Sequence, residues 1–206
     1  MAKSTTIVKP ASTLNLSSGQ SYIEWGSVWA GATIAIATTT TLMQFGTAAG
    51  LAAGKPFLDS GAVSWNVLAA GLWAIIAVFV SSAAGGYIAG RMRSRLNDAT
   101  EHEVEFRDGV HGLVVWGIST VIVAILLTIF AYLTAVSALT QDAQQVEPSA
   151  EALRIAGNMS VISAFSTAAA ATIGAGAAWW SATMGGQHRD ENVDHNLVVP
   201  AFMRRR

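Results

Sequence analysis

Four stretches of about thirty residues without a charged side chain constrain this chain more than any other feature. They run from Trp25 to Gly54, between Asp59 and Arg91, between His111 and Asp142, and between Arg154 and His188. At about 1.5 Å of rise per residue, each would make roughly 45 Å of helix, against a hydrocarbon layer of about 30 Å. A segment in hydrocarbon must satisfy its own backbone N–H and C=O groups, which a helix does. The pattern predicts an all-α integral membrane fold with four transmembrane helices at 23–48, 65–89, 111–136 and 159–184. Residues 1–22 then form a polar tail, 23–187 the membrane domain with a connection at 90–110, and 188–206 a basic tail. The first apolar run starts late and is too long for an export signal, so it is expected to stay uncleaved.

Composition narrows the function classes. Hydrophobic residues make up 52% of the 206-residue chain and charged ones only 12%, about half the share usual in soluble domains. The formal net charge of −1 offers no basic field for nucleic acid, so no nucleic-acid partner is expected. Cysteine is absent, which removes disulfides, thiolate metal sites and cysteine nucleophiles together.

Lys and Arg divide unevenly between the two sides that four spans create. Lys3, Lys9, Arg91, Arg93, Arg95, Arg107, Arg189, Arg204, Arg205 and Arg206 share one side, leaving Lys55 and Arg154 opposite. By the positive-inside rule both termini and the 90–110 connection are cytoplasmic. Ser21 and Glu24 have the spacing of a capping box at the start of the first span. Asp108 and Gly109 are expected to open the third span, and Pro148 with Ser149 a helix leading into the fourth, with Gly157 and Asn158 as a potential interruption.

Without a strong hydrophobic drive between helices in lipid, association depends on small residues that let backbones approach. Gly46, Gly50 and Gly54 recur every fourth residue in the first span, Gly85, Gly86 and Gly90 crowd the end of the second, and Gly174, Gly176, Gly185 and Gly186 that of the fourth. These are the expected helix-packing positions. The Gly pairs at 85–86 and 185–186, each followed by a base, together with the Trp- and Gly-bearing starts of spans one and three, read either as two parallel copies of a helical hairpin or as a coincidence of Gly-rich ends.

A search for chemistry finds little. The spans hold no mid-membrane Asp, Glu, Lys, Arg or His, the usual mark of a proton relay or ion site. Their hydroxyls, among them Thr38 to Thr41, Ser81, Ser82, Ser119, Thr120, Ser166 and Thr167, either bond to the preceding helical turn or line a path for an uncharged solute. The run from Glu101 to Phe106 alternates acid with other residues, compatible with an extended segment or an irregular loop. His102, His111, His188 and His195 fall on the cytoplasmic side without metal-ligand spacing, and no P-loop, dinucleotide fingerprint or nucleophile elbow is present. No catalytic, metal or cofactor residue is expected. Arg91, Arg93, Arg95, Asp108, His111 and Trp116 are instead read as a cytoplasmic interface corner, with the arginines meeting anionic headgroups.

Gly85-Gly86-Tyr87-Ile88-Ala89-Gly90-Arg91, then Asp108-Gly109-Val110-His111-Gly112-Leu113-Val114-Val115-Trp116, then Trp179-Trp180 before Gly185-Gly186 resemble a family of small bacterial multi-pass membrane proteins of unsettled role, some of which carry a phosphonate-metabolism-like label. The resemblance implies a bacterial inner-membrane location and this topology; it implies no catalytic residues, and nothing here supports phosphonate chemistry. The expectation is a non-enzymatic structural or accessory protein acting through helix packing, with membrane lipids and a second copy or other membrane subunits as partners. A channel or facilitator for a small uncharged solute is the alternative.

Overall fold

The computed structural model describes residues 22–51, 58, 63–94, 100–140 and 149–193. Gly54, Arg95, His195, both outer tails and much of the 50–64 connection lie outside the described residues. Within them the chain is all-helical, with four helices in the order α1 (Trp25–Ala48), α2 (Trp65–Met92), α3 (Glu101–Thr140) and α4 (Ala150–Asp190). Three helices are long and apolar enough to cross a membrane: α2, α3 over Glu101–Ser137, and α4 over Leu153–Asp190. The 24 residues of α1 are diluted by Thr38 to Thr41 and Gln44, so its own composition places it outside that group.

α3 and α4 are longer than expected, at 40 and 41 residues, or roughly 60 Å each at about 1.5 Å per residue. Glu101 to Phe106 is the opening of α3 and neither a strand nor a loop. Two local effects favour the helix there. Glu101 and Glu103 sit in its first turn, where acidic groups complement the helix dipole, and Glu103 pairs with Arg107 one turn on. Asp108 therefore lies inside a helix and does not begin one. α4 opens just after Ser149, whose carbonyl receives the Leu153 N–H at 3.1 Å, and it runs through Gly157 and Asn158 unbroken.

The packed part of the bundle is confined to one end. Val28, Ala32, Ala35, Ala89 and Val115 form a buried apolar cluster, while α4 contributes Ala170, Ala177, Ala178 and Ala182. α2 and α4 make the most extensive contact, and α2 also packs on α1 and α3. Small side chains make this possible: Gly31 and Gly85 oppose each other backbone to backbone, Gly86 and Gly112 face the Ala178 carbonyl, and Gly90 faces that of Ala182. At the other end α3 from Val121 to Ser137 and α4 from Gly157 to Ala169 are largely exposed. Leu126, Phe130, Leu133 and Phe165 are exposed.

Most, but not all, of the expected glycines lie at helix contacts. Gly46 abuts the Trp73 ring, Gly174 meets Val78 and Ser82, Gly185 meets Tyr87, and Gly186 meets Asp108. Gly176 faces open space, and Gly50 ends α1 with φ +75, a left-handed conformation that accounts for glycine there without any packing. The two Gly pairs play different parts, since Gly85 and Gly86 approach α1 and α4 whereas Gly185 and Gly186 approach α2 and α3.

Candidate functional site

Charged groups converge where α1 starts, α2 ends, α3 starts and α4 ends. Asp108, about two turns into α3, is buried with Arg93, the residue after α2, and their side chains are only 2% and 4% exposed. Arg93 Nε donates to Asp108 Oδ1 at 2.5 Å, and Arg93 Nη2 to the Val104 carbonyl at 3.4 Å. Arg189 of α4 approaches the same carboxylate from the other side, with Nη1 and Nη2 each 3.2 Å from an oxygen. It also binds both oxygens of Asp190 at 2.9 and 2.8 Å. Two guanidinium groups thus meet two carboxylates, Asp108 in the buried interior and Asp190 at the exposed edge. Such pairing is needed, because an ion removed from water without a partner costs several kcal/mol.

Arg189 does a second job. Its Nη1 donates to the carbonyls of Gly90 and Arg93 at 2.9 and 3.2 Å, two of the groups that the end of α2 leaves without intrahelical partners. Arg91 Nη2 donates to the Val193 carbonyl at 2.7 Å, and the Tyr87 hydroxyl lies 3.2 Å from His188 Nδ1 with the rings edge to face. Gly186 is required at this point, since a Cβ there would overlap the Asp108 carboxylate. Gly109 likewise leaves room for the Trp179 ring.

His111 and Glu24 attach α1 to this cluster. His111 is 1% exposed; its Nδ1 lies 2.7 Å from the Arg107 carbonyl and its Nε2 accepts the Glu24 N–H at 2.9 Å. A carbonyl on one side and an N–H on the other assign the neutral ring with its proton on Nδ1. Both nitrogens are engaged, so neither is free for proton transfer. The Glu24 carboxylate accepts the Ser94 N–H and hydroxyl at 2.7 and 2.8 Å. This replaces the expected capping box: Glu24 precedes α1 without a side-chain cap bond and holds α2 instead, while Ser21 lies outside the described residues. On the outer surface, ahead of the apolar part of α3, Glu103 takes bonds from the Tyr22 hydroxyl and from Arg107, both at 2.6 Å. The Tyr22 hydroxyl and then the Arg107 guanidinium hold its carboxyl below the usual range.

The expected corner is thus drawn differently. Arg93, Asp108 and His111 come together with Arg189 and Glu24, which were not among its members. Arg93 points into protein and not toward headgroups, and Trp116 lies two turns further along α3, away from the ions. Arg189 carried a usable signal, as a base in the last turn of an apolar helix on the side where Asp108 lies. Among the described residues no group of three or more His, Asp or Glu is arranged to hold a metal ion.

Trp116 belongs to a second region. Between the packed and open ends lies a cavity of about 330 Å³ with lining from all four helices, including Thr39, Ser81, Ser119, Thr120 and Thr167. Most lining atoms are apolar. Elsewhere in the helices hydroxyls are returned to the preceding turn, as Thr40 to Ile36, Thr128 to Ala124 and Thr172 to Ala168 at 2.8 to 2.9 Å. Ser81 Oγ and Trp116 Nε1, by contrast, are buried with no hydrogen-bond partner among the described residues.

No protein-family model, curated protein or solved structure matches the chain. The functional reading therefore rests on the geometry of these two regions.

Proposed function

We propose that this is a non-enzymatic structural or accessory protein of the bacterial inner membrane, acting through helix packing as a homo-oligomer or as a subunit of a larger membrane complex. All four helices cross, α1 being carried by its packing on α2 and α3, and the ionic end with both termini faces the cytoplasm. The ten-to-two distribution of Lys and Arg supports that orientation. So does the meeting of the start of α1, the end of α2, the start of α3 and the end of α4 in one ion cluster, the arrangement four alternating crossings produce.

One observation carries the assembly reading. On the open end of α4, Ala156, Ser160, Ser163 and Ala164 are all exposed and recur at the three- and four-residue spacing that places them on one helical face. A face of small residues gives lipid tails little to pack against and gives another helix close backbone access. The ionic end supports the non-enzymatic part, because its buried charges are paired and both nitrogens of His111 are engaged. Purification in native lipid followed by mass determination tests the proposal. Particles containing two or more chains, or one chain with a stoichiometric membrane partner, are expected; a lone chain at all protein-to-lipid ratios would overturn it.

A facilitator for a small uncharged solute is the second reading, favoured by the hydroxyls around the cavity. The backbone contacts of Gly31 with Gly85 and of Gly86 with Ala178 stand between that cavity and the ionic end, which weighs against a through path. Solute uptake into liposomes that is lost on Thr39→Leu would favour this reading over assembly.

A further inference from the structure

One buried histidine ties the start of α1 to α3, and its hydrogen bonds leave no room for a second ring proton. His111 Nδ1 gives its proton to the Arg107 carbonyl at 2.7 Å, and its Nε2 lone pair holds the Glu24 N–H at 2.9 Å. A proton added at Nε2 would set N–H against N–H, so the ring can be charged only by giving up Glu24. The Glu24 N–H is one of the donors that the start of a helix leaves unpaired, and without the ring it must turn to water. Water is close. Trp25 and Gly26 of the first turn are exposed, whereas Ser27 and Val28 behind them are buried. From Val28 on, α1 is held by apolar packing with Ala89 and Val115, which no proton affects. Glu24 is therefore the point at which α1 depends on polar bonds, with His111 on its backbone and Ser94 on its carboxylate.

Charged groups approach the ring from each element packed there. Glu24 comes from the start of α1, Arg93 from the end of α2 and Asp108 from α3. Arg107, also of α3, turns its guanidinium outward to Glu103 and Tyr22, and Arg189 of α4 joins the group through Asp108. Arg93 opposes a positive ring, while Asp108 and Glu24 favour one. Asp108 is already engaged by two guanidinium groups. We propose that His111 is an acid-sensitive latch: its neutral ring fastens the first turn of α1 to the ionic end, and a proton on Nε2 releases that turn while the rest of α1 stays packed. The closed form has no place for that proton and the released form does, so acid favours release. With an ordinary value of about 6.5 for the freed ring, going from about pH 7.5 to about pH 5 lowers the closed-to-released ratio about thirtyfold.

Pulsed EPR distances on the full chain in nanodiscs test this, since the chain has no cysteine of its own. Trp25→Cys combined with Met92→Cys places spin labels on the first turn of α1 and the last residue of α2, both exposed positions. Trp29→Cys with Met92→Cys, one turn further along α1, is the reference pair. From about pH 8 down to about pH 4, a range that brackets histidine titration, the first pair should gain a longer, broader component and the second should stay constant. His111→Gln, whose amide oxygen accepts the Glu24 N–H without titrating, should hold the first pair closed throughout. Glu24→Gln and Glu103→Gln should keep the transition, which separates the ring from the carboxylates around it. Replacing His102, His188 and His195 by Asn leaves His111 as the one histidine. Its ring-nitrogen NMR signals should then report a neutral ring protonated on Nδ1 at the alkaline end, and a charged ring with the same midpoint as the distance change. An unchanged distance at Trp25 once those signals show the ring charged, or a transition that persists in His111→Gln, would overturn the proposal.

Discussion

The two ends of this bundle are made of the same helices and obey opposite rules. At the ionic end, glycine and alanine bring backbones into contact, and the buried charges Asp108, Arg93 and Arg189 are paired, with the exposed Asp190 as second partner of Arg189. At the open end, α3 presents Leu126, Phe130 and Leu133 outward and α4 presents an exposed small-residue face. The difference teaches that apolarity alone does not hold helices together in lipid. Close approach and satisfied polar groups do so, and where either is missing the helices separate.

The largest effect should come from the buried carboxylate. Asp108→Ala leaves Arg93 and Arg189 facing each other without their shared anion, and breaking such a pair costs about 3 to 5 kcal/mol. Unfolding of the purified protein in mixed micelles should show that loss; a change below about 1 kcal/mol would mean that the ionic end is wet and only loosely organised. Gly86→Leu should follow, because its side chain would drive into the Ala178 carbonyl and the Ser181 hydroxyl, with overpacking typically costing about 1 to 3 kcal/mol and more against backbone. Gly176→Leu, facing open space, is the matched control, and equal losses from the two would erase the distinction between packed and open positions.

Smaller effects sharpen the comparison from the other side. Ser160→Leu on the open end of α4 should leave the thermal midpoint of the single chain within a few degrees while reducing the assembled fraction in native-lipid mass measurements. Unfolding of the single chain would instead place that face inside its own fold. The smallest effect is expected at the outer clasp of Tyr22, Glu103 and Arg107. The folded-state pKa of Glu103 is lowered, so whatever the clasp contributes is present above the unfolded value and is lost as pH falls through the folded one. Glu103→Gln should remove that acid-side dependence of Tyr22 fluorescence and leave the neutral-pH midpoint unchanged.

Much of the helix layout is legible in residue order, because charge-free runs and Gly-rich ends are properties of contiguous segments. The early start of α4 is legible at Pro148 and Ser149, but that of α3 is not, since an acidic, water-exposed turn such as Glu101 to Arg107 carries no hydropathy signal and is helical through its dipole and its Glu103–Arg107 pair. Arg93 and Asp108 are neighbours in one connection and visible as a group. Arg189 and Glu24 reach them across 81 and 70 residues of chain, counted to Asp108 and Ser94, which spacing does not reveal. The unused donors of Ser81 and Trp116 are hidden for a different reason. A helical serine has its own turn as a default acceptor, and only its placement against α3 and α4 shows that this option is not taken.

The absence of cysteine makes one measurement especially direct. Single substitutions Ser160→Cys, Ser163→Cys and Phe165→Cys are placed in α4 and oxidised in native membranes. Ser160 and Ser163 belong to the small-residue face, and Phe165 lies across the helix from it by the 100° advance per residue. If the open end is completed by another helix of this chain or of a partner, the first two should give a discrete crosslinked species, with the partner carrying a thiol or an added bifunctional reagent joining the two, while Phe165→Cys stays uncoupled. Equal crosslinking at all three positions, or none at Ser160 and Ser163, would contradict an assembly built on that face.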